Sequence, residues 1–504
     1  MSGRIEVALE LGERSGARWR KARDDGAMRI LVMGDFSGRG VAQAGVPSLE
    51  TLPRPIRLDI DNLDDVLAAL EPQVTLPFGD HWGQDLVVDV TCLDDFHPDA
   101  LYERVPIFRR LRDLRGRLLE PATFARAAAE LRDEIQVFAP TPMAGAETPE
   151  NDASTVERLL GKRPGHTQVA ERRSEVAELL RLAAAPHLSP ETPHQELYVR
   201  ALDDIAGDLM RSILRHPRFQ ALEGAWRSAH QLVSRLETGE ALEVWLLDLG
   251  RAQLLADVCA AGNDPSSTRL HRMLMHTAPG MPEGRFWGLL VGAYTFGLST
   301  EDVTCLTALG GIASEVGAPF FAAADPAILG CASLVETPSA ADWLSLDPSS
   351  EARWQGLRRS PFARWVGLAL PRVLLRLPYG KATDPIESFE FEELAPVREH
   401  SAYLWGNPAF VCAVVVARAY IAAERGNGPR HPLDVDDLPA HAYREDGETK
   451  LQACAETYLS ESTAETIASR GIIPLLSYRN RNAVRVWQLR SLADSSAGLA
   501  SAWT

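Results

Sequence analysis

The sequence predicts an α/β protein in which helices pack around a mainly central β-sheet. Short apolar runs that are typical of buried strands alternate with amphipathic helical patterns along the chain. Residues 139–154, APTPMAGAETPENDAS, are rich in proline and alanine, are acidic and contain Met143 as their one large apolar residue. This composition predicts a flexible linker between a smaller and a larger α/β region. A chain of 504 residues is long enough for two or three domains.

The region before the linker is predicted to be a compact α/β unit that ends near Phe138. Its predicted strands cover residues 4–11, 28–33, 54–60 and 86–92. A helix that Asp61 or Asn62 can cap follows the third strand, and its apolar stripe is Leu63, Val66, Leu67 and Leu70. Pro98 fits the first turn of a second helix, whose apolar positions are Leu101, Val105, Phe108 and Leu111.

The region after the linker also alternates between helices and strands. Helices are predicted at residues 169–184, 197–236, 251–258, 300–316 and 409–425. Pro217 interrupts the second of these, and the shared face beyond it is Phe219, Leu222, Trp226, Ala229 and Val233. Asn407 and Pro408 form a cap and first turn for the last helix. Buried strands are predicted at residues 242–249, 286–294 and 319–323.

The segment LALPRVLLRLPYG, residues 368–380, is the most informative stretch of the chain. Pro371 and Pro378 enclose six residues, which are too few for a helix and predict a strand at residues 372–377. Arg372 and Arg376 then lie on an otherwise apolar strand, so carboxylates are expected nearby, with Glu387, Glu390, Glu392 and Glu393 as the nearest supply. Two interpretations stay open: the arginines serve the internal core, or they face another subunit.

Composition excludes several classes of protein. The formal net charge of -17 argues against a general nucleic-acid binder, which needs basic surface for phosphates. The six cysteines are scattered without a CxxC pair, so neither a zinc knuckle nor a disulfide framework is expected. The first residues show no signal-peptide pattern, and no apolar run approaches the length that spans a bilayer. These observations predict a cytosolic protein without membrane insertion.

No catalytic constellation is found, so the sequence predicts neither an enzyme nor a cofactor. GDFSGRG, residues 34–40, follows a strand but matches neither the P-loop nor the dinucleotide fingerprint, and a strand-ending turn is the favoured interpretation over a phosphate cradle. Asp94, Asp95 and His97 resemble a metal half-site, yet an acidic helix N-terminus explains them more simply. Five tryptophans are expected to anchor the core or an interface: Trp226, Trp287, Trp354, Trp365 and Trp405.

Several of these pieces, in this order, resemble the contractile sheath of bacterial type VI secretion systems. The first 138 residues are similar to the small sheath subunit (VipA-type) in GDFSGR, RPIRLDIDNLDDVL, DDFHPDAL and LRDLRGRL. Later segments are similar to the large subunit (VipB-type), most specifically RWVGLALPRVLLRLPYGKATDPIESFEFEE and HSAYLWGNPAF. The implied organisation is a small-subunit-like domain at 1–138, a linker at 139–154, a large-subunit-like core at 155–425 and a divergent, shortened region at 426–504.

The resemblance implies a structural protein with a tail-sheath-like α/β fold. Its implied partners are further copies of itself in a helical sheath, an inner tube protein, a baseplate and an AAA+ unfoldase, in the bacterial cytoplasm. Candidate subunit-interface residues are Arg372, Arg376, Glu390, Glu392, Glu393 and Trp405. The family's large subunit continues beyond the point where this chain stops, and that extension supplies an arm that pairs with neighbouring protomers. A sheath-derived adaptor or terminator, docked on a sheath end or baseplate, is therefore the alternative expectation.

Overall fold

The computed structural model describes residues 27–40, 52–77, 85–138, 192–262, 264–275, 287–424, 433–445, 447–494 and 498–501. The predicted strand at residues 4–11, the predicted linker at 139–154 and the predicted helix at 169–184 lie outside these described residues.

A nine-stranded sheet organises the described part of the chain. Six of its strands run parallel, and they are β1 (Met28–Gly34), β5 (Leu242–Asp248), β6 (Trp287–Phe296), β7 (Phe320–Ala324), β8 (Val366–Leu370) and β14 (Ile472–Ser477). Three further strands complete it through antiparallel pairings: β2 (Ile56–Leu58) pairs with β5, β15 (Ala483–Val486) pairs with β14, and β11 (Asp434–Asp436) pairs with β15. The spatial order is β11-β15-β14-β8-β7-β6-β1-β5-β2.

Strand β1 lies inside this sheet although it belongs to the region before the predicted linker. Ile30 pairs with Val244 of β5 on one side and with Leu289 of β6 on the other. Arg29 of the same strand donates from Nε to Glu243 Oε2 at 3.1 Å, and both side chains are buried. Because the strands on either side of β1 come from the later region, the two regions share one sheet rather than forming separate ones.

Helices cover both faces of the sheet, as a parallel sheet requires. The described helices are α1 (Leu63–Leu70), α2 (Pro98–Arg104), α3 (Pro106–Leu119), α4 (Phe124–Phe138), α5 (Thr192–Leu214), α6 (Pro217–Ser234), α7 (Arg251–Ala261), α8 (Arg269–Met275), α9 (Thr300–Val316), α10 (Pro348–Arg359), α11 (Ala409–Glu424) and α12 (Glu461–Ser469). One hydrophobic core contains residues of α1 to α6 and α11, and a second contains residues of α7 to α10 and α12. We call these sides of the sheet the first face and the second face.

Three two-stranded ladders lie outside the central sheet. They are β3 (Gln73–Leu76) with β4 (Leu86–Asp89), β9 (Val373–Leu374) with β10 (Trp405–Gly406), and β12 (His441–Glu445) with β13 (Glu448–Gln452). The first ladder packs beside α6 and belongs to the first face. No helix of the described residues is long and apolar enough to cross a membrane.

Most predicted elements are confirmed by the structure. Strands β1, β5, β6 and β7 begin within one residue of their predicted positions, and α9 matches its predicted bounds. The break at Pro217 separates α5 from α6, and the shared face of α6 is buried as predicted, at Phe219, Leu222, Trp226, Ala229 and Val233. The Asn407 side chain accepts from Ala409 N at 3.0 Å, which confirms the cap before α11.

The predicted strand at residues 372–377 is wrong in extent. The sheet strand β8 ends at Leu370, and only Val373 and Leu374 pair with a neighbouring strand. On its other side Val373 forms a single bridge with Ala455, in which Leu374 N donates to the Cys454 carbonyl at 2.7 Å. Arg372 N donates to the Glu456 carboxylate at 2.9 Å rather than to a backbone carbonyl, so the pairing does not extend in that direction. The segment is therefore an irregular connection held by distant partners.

Two further differences have local physical reasons. The helix expected to run from Pro98 through Leu111 is two helices, because Val105 is extended and Pro106 starts α3. Strands β14 and β15 form part of the central sheet although no element was predicted there. The sequence of β14 contains Pro474, which argues against an interior strand by composition alone.

Candidate assembly site

Arg376 is the centre of a buried ion-pair network that contacts the segment of residues 378–393 through Glu393. Its guanidinium donates to Glu223 through Nε at 2.7 Å and to Glu393 through Nη1 at 2.7 Å. Glu223 lies on α6 and also accepts from Arg227 Nε at 2.7 Å. Glu223 is 0% exposed and Arg376 is 9% exposed. Two arginines and two carboxylates thus form a compensated cluster, as buried charges require.

Electrostatics in this network favour the charged forms. Burial disfavours ionised Glu223, but Arg376 and Arg227 outweigh that effect and lower the pKa of the carboxyl. Burial likewise opposes the charge of Arg376, whereas Glu223 and Glu393 raise the pKa of the guanidinium well above its usual value. The Tyr379 ring lies 4.0 Å from the Arg376 guanidinium carbon, and burial raises the pKa of this tyrosine to about 12.

The segment of residues 378–393 connects this network to the region before the predicted linker. The Asp99 carboxylate at the start of α2 accepts from Glu387 N, from Ser388 N and from the Ser388 hydroxyl at 2.6–3.2 Å. The His97 ring meets the Tyr379 ring edge-on, with centroids 4.9 Å apart. The two regions therefore contact each other through this segment as well as through the shared sheet.

Arg372 belongs to a different, more exposed cluster. It is 50% exposed and donates from Nε to Glu456 Oε1 at 2.9 Å. His400 Nε2 lies 3.3 Å from the same oxygen, and its ring stacks on Trp405 with centroids 4.6 Å apart. Burial opposes ionisation of Glu456, but His400 and Arg372 lower the pKa of this carboxyl to about 2.

The six candidate interface residues are therefore divided between two environments. Arg376 and Glu393 are buried inside the chain, where they pair with each other. Arg372, Glu390 and Glu392 are exposed, and Trp405 is partly buried. Glu393 comes from the predicted supply of carboxylates, but Glu223 and Glu456 were not predicted. Glu223 sits between Leu222 and Trp226 of the apolar face of α6, and that position was the sequence signal for a buried acid.

GDFSGRG is a strand-ending turn, as predicted. Its backbone donors are already bonded, since Asp248 Oδ1 accepts from Phe36 N at 2.8 Å and from Ser37 N at 3.0 Å. Asp35 Oδ2 accepts from Gly40 N at 3.1 Å. Two carboxylates in the place where a phosphate cradle needs free amides would repel an anion.

Asp95 and His97, just before α2, accept hydrogen bonds from backbone amides near helix starts. The His97 side chain accepts from Asp99 N at 3.2 Å, which makes His97 the N-cap of α2. Asp95 Oδ2 accepts from Thr91 N at 2.6 Å and from Cys92 N at 3.1 Å, and its carboxylate pairs with Arg104. Burial opposes the charge of Asp95, but these partners lower the pKa of the carboxyl to about 2. The helix-terminus interpretation is confirmed.

Comparison with known families shows to which protein family the chain belongs. Residues 196–492, more than half of the chain, match the VipB family, which is described as a tail sheath N-terminal domain. The chain belongs to the type VI secretion tail sheath family. Residues 20–142 match the VipA family of the type VI secretion system. Sequences similar to both sheath components are thus present in one chain, and the VipB match includes β14 and β15 of the central sheet.

A curated member of the sheath family is similar to this chain over the later region. The type VI secretion system sheath protein TssC1 of Pseudomonas aeruginosa is 34% identical over 302 residues. The alignment covers 56% of this chain and 58% of TssC1, so the chain spans less than two thirds of the length of this relative. Both the family and this relative are structural sheath proteins rather than enzymes.

Proposed function

We propose that this protein is a protomer of a type VI contractile sheath in which both sheath components are fused. The observation that carries the proposal is the position of β1, which belongs to the VipA-like region and lies between two strands of the VipB-like region. A strand in that position makes one rigid body from both components. A tether between them also fixes their ratio at one to one and raises their effective concentration.

The proposed partners follow from a sheath role. Further copies of the chain would form a helical sheath around an inner tube protein, start from a baseplate, and be dismantled after contraction by an AAA+ unfoldase. Sheath contraction would then drive the inner tube outward. The proposed location is the bacterial cytoplasm, and the net charge of -17 argues against nucleic acid as a partner.

Within this role, the exposed members of the candidate interface set and the partly buried Trp405 are proposed to contact neighbouring protomers. Arg372 and Trp405 present a cation and a stacked ring, while Glu390 and Glu392 present acids on the segment that joins the two regions. Arg376 and Glu393 would act indirectly, because their network holds that segment in position. This division separates residues that contact a neighbour from residues that shape the contact.

Electron microscopy of the purified chain, alone and mixed with its cognate tube protein, tests the proposal. Cylinders of regular diameter that form with the tube protein are the expected result. A chain that stays monomeric at high concentration with the tube protein would contradict it. The matches to both sheath components favour a sheath protomer over the adaptor or terminator, and binding only to the ends of a preformed sheath would reverse that preference.

A further inference from the structure

Leu344 is a large apolar side chain that the fold holds out into solvent. It is 76% exposed, the highest value among the large exposed hydrophobic residues of the described chain. It lies between β7 and α10, in a loop on the second face, where Leu329, Leu334 and Trp343 pack into the core. An exposed leucine alone needs no explanation, but its surroundings are unusual in how firmly they fix it.

The loop around Leu344 is held by hydrogen bonds at several points. Leu344 N donates to the Gly330 carbonyl at 3.0 Å, and Trp343 Nε1 donates to the Thr337 carbonyl at 2.9 Å. Gly330 has φ +87°, and a Cβ at this position would collide with the Leu344 carbonyl, so only glycine permits the approach. Because the backbone that carries Leu344 is already fixed, little backbone conformational entropy is lost when a partner buries the side chain.

A cavity of matching size opens on the first face. It has a volume of about 100 Å³, and its apolar walls come mainly from Val74, Leu222 and Ala225. Its rim is open to solvent at Ala221, which is exposed. An apolar cavity of roughly 150 Å³ accommodates a benzene molecule, so this smaller one fits a branched aliphatic side chain.

Charge complements shape at this cavity. Arg218 lies on its wall and donates from Nη1 to the Thr75 carbonyl at 3.1 Å. Leu344 is flanked by the exposed carboxylates of Asp342 and Asp347. Asp347 caps α10 by accepting from Ser349 N and Ser350 N, and hydrogen bonds from these serines hold the pKa of its carboxyl below the usual value. Asp35 is the acidic residue on the cavity wall. Its Oδ2 accepts a hydrogen bond from Gly40 N, so this oxygen is bonded within its own loop.

We propose that Leu344 of one copy of this chain inserts into the cavity of a second copy, with Asp342 or Asp347 beside Arg218. The two surfaces lie on opposite faces of the central sheet, so the contact is head-to-tail and leaves a free loop and a free cavity at the two ends. Contacts of this kind extend into helical assemblies unless the rotation closes a ring. The inference rests on the proposed sheath function and names one of its lattice contacts.

A cysteine pair tests the contact directly. The variant Leu344→Cys/Ala221→Cys is made in a Cys259→Ser background, because Cys259 is the exposed cysteine of the described chain. After mild oxidation with the tube protein present, a ladder of covalent oligomers is expected on a non-reducing gel. Each single-cysteine variant serves as a control and should give no species beyond a dimer.

The outcomes separate this contact from the sheath function itself. Cylinders that form without a ladder would overturn the contact and leave the sheath function standing. A ladder from chains that form no cylinders would support the contact and count against the sheath function. Absence of both cylinders and ladder would overturn both.

A second pair of variants tests the same contact without new cysteines. Leu344→Asp should abolish or strongly shorten the cylinders while leaving the thermal midpoint of the monomer unchanged, since its side chain is largely exposed. Met275→Asp is the matched control, because Met275 is 52% exposed and follows the core residue Leu274 on the same face. Normal cylinders from Leu344→Asp would refute the contact.

Discussion

Single residues show how this fold tolerates charge in its interior. Arg376 is buried, yet Glu223 and Glu393 compensate its charge at hydrogen-bonding distance, and Arg227 pairs with Glu223 as well. A buried ion pair adds little net stability when complete, because desolvation cancels much of the attraction. Removal of one partner is costly, since it leaves the opposite charge buried and unpaired.

The first prediction concerns this network. Arg376→Ala should lower the free energy of unfolding by about 3–5 kcal/mol, because two buried carboxylates lose their main cation. Urea denaturation at pH 7 measures the change. The control is Arg481→Ala, whose side chain is 45% exposed and pairs with Asp434, and it should cost less than about 1 kcal/mol. Similar losses for the two variants would show that the network is not the buried support described above.

The second prediction concerns acid stability through Glu456. Its pKa is lowered to about 2 in the folded protein from a usual 4.5, so ionised Glu456 stabilises the fold above pH 4.5. That contribution, on the order of 3 kcal/mol, is lost as the pH falls from 4.5 towards 2. The urea midpoints of the wild type and of Glu456→Gln should therefore differ clearly at pH 7 and by less than half as much at pH 3. A difference that stays constant with pH would contradict the assignment.

At the scale of elements, the segment of residues 378–393 has no regular structure of its own and depends on partners from elsewhere. Asp99 of α2 binds it at one place, and Arg376 and Arg215 bind it at another through the Glu393 side chain and carbonyl. An aromatic contact adds to this, since the ring centroids of Phe389 and Tyr102 lie 4.9 Å apart. Irregular segments normally lie free on a surface, so this degree of anchoring fits a surface that must keep one shape for a neighbour.

The third prediction tests that anchoring. Asp99→Ala should leave Glu387 N and Ser388 N without their acceptor and loosen the segment at this point. Hydrogen exchange at these two amides should accelerate markedly compared with the wild type. Asp94→Ala, five residues earlier and exposed, is the control and should leave the exchange of both amides unchanged. Unchanged exchange in Asp99→Ala would mean that other contacts hold the segment.

For the whole molecule, the shared sheet is the decisive feature. Strand β1 pairs along its length with β5 and along most of its length with β6, and the buried Arg29–Glu243 ion pair reinforces the first pairing. Without β1, two apolar strands would each expose an unpaired edge in the middle of the sheet. The region before the predicted linker is therefore a structural requirement of the later region.

The fourth prediction follows from this dependence. A protease site inserted into residues 139–154 should allow complete cleavage, and the two fragments should still elute together on gel filtration because β1 stays in the sheet. They should separate only in denaturant. Expression of the later fragment alone should give insoluble protein, because β5 and β6 would then expose unpaired edges. Fragments that separate freely in native buffer would contradict the shared sheet.

The sequence by itself determined the α/β class, most strand and helix positions and the two component resemblances. Apolar periodicity, Pro217 and the Asn407 cap act over a few residues, so their effects can be read locally. Arg372 and Arg376, on an otherwise apolar segment, likewise predicted that carboxylates lie near them. Residues 139–154 predicted a division into two regions from composition alone.

Tertiary structure decided what local patterns do not contain. In the folded chain β1 lies between β5 and β6, and β14 is part of the sheet despite Pro474. Glu223 pairs with Arg376 across 153 residues of sequence, and Glu456 pairs with Arg372 across 84 residues. Tertiary structure also ended the predicted strand at 372–377 by giving its backbone distant partners. Strand order and buried charge pairing depend on which surfaces meet after the chain folds, and sequence separation does not encode that directly.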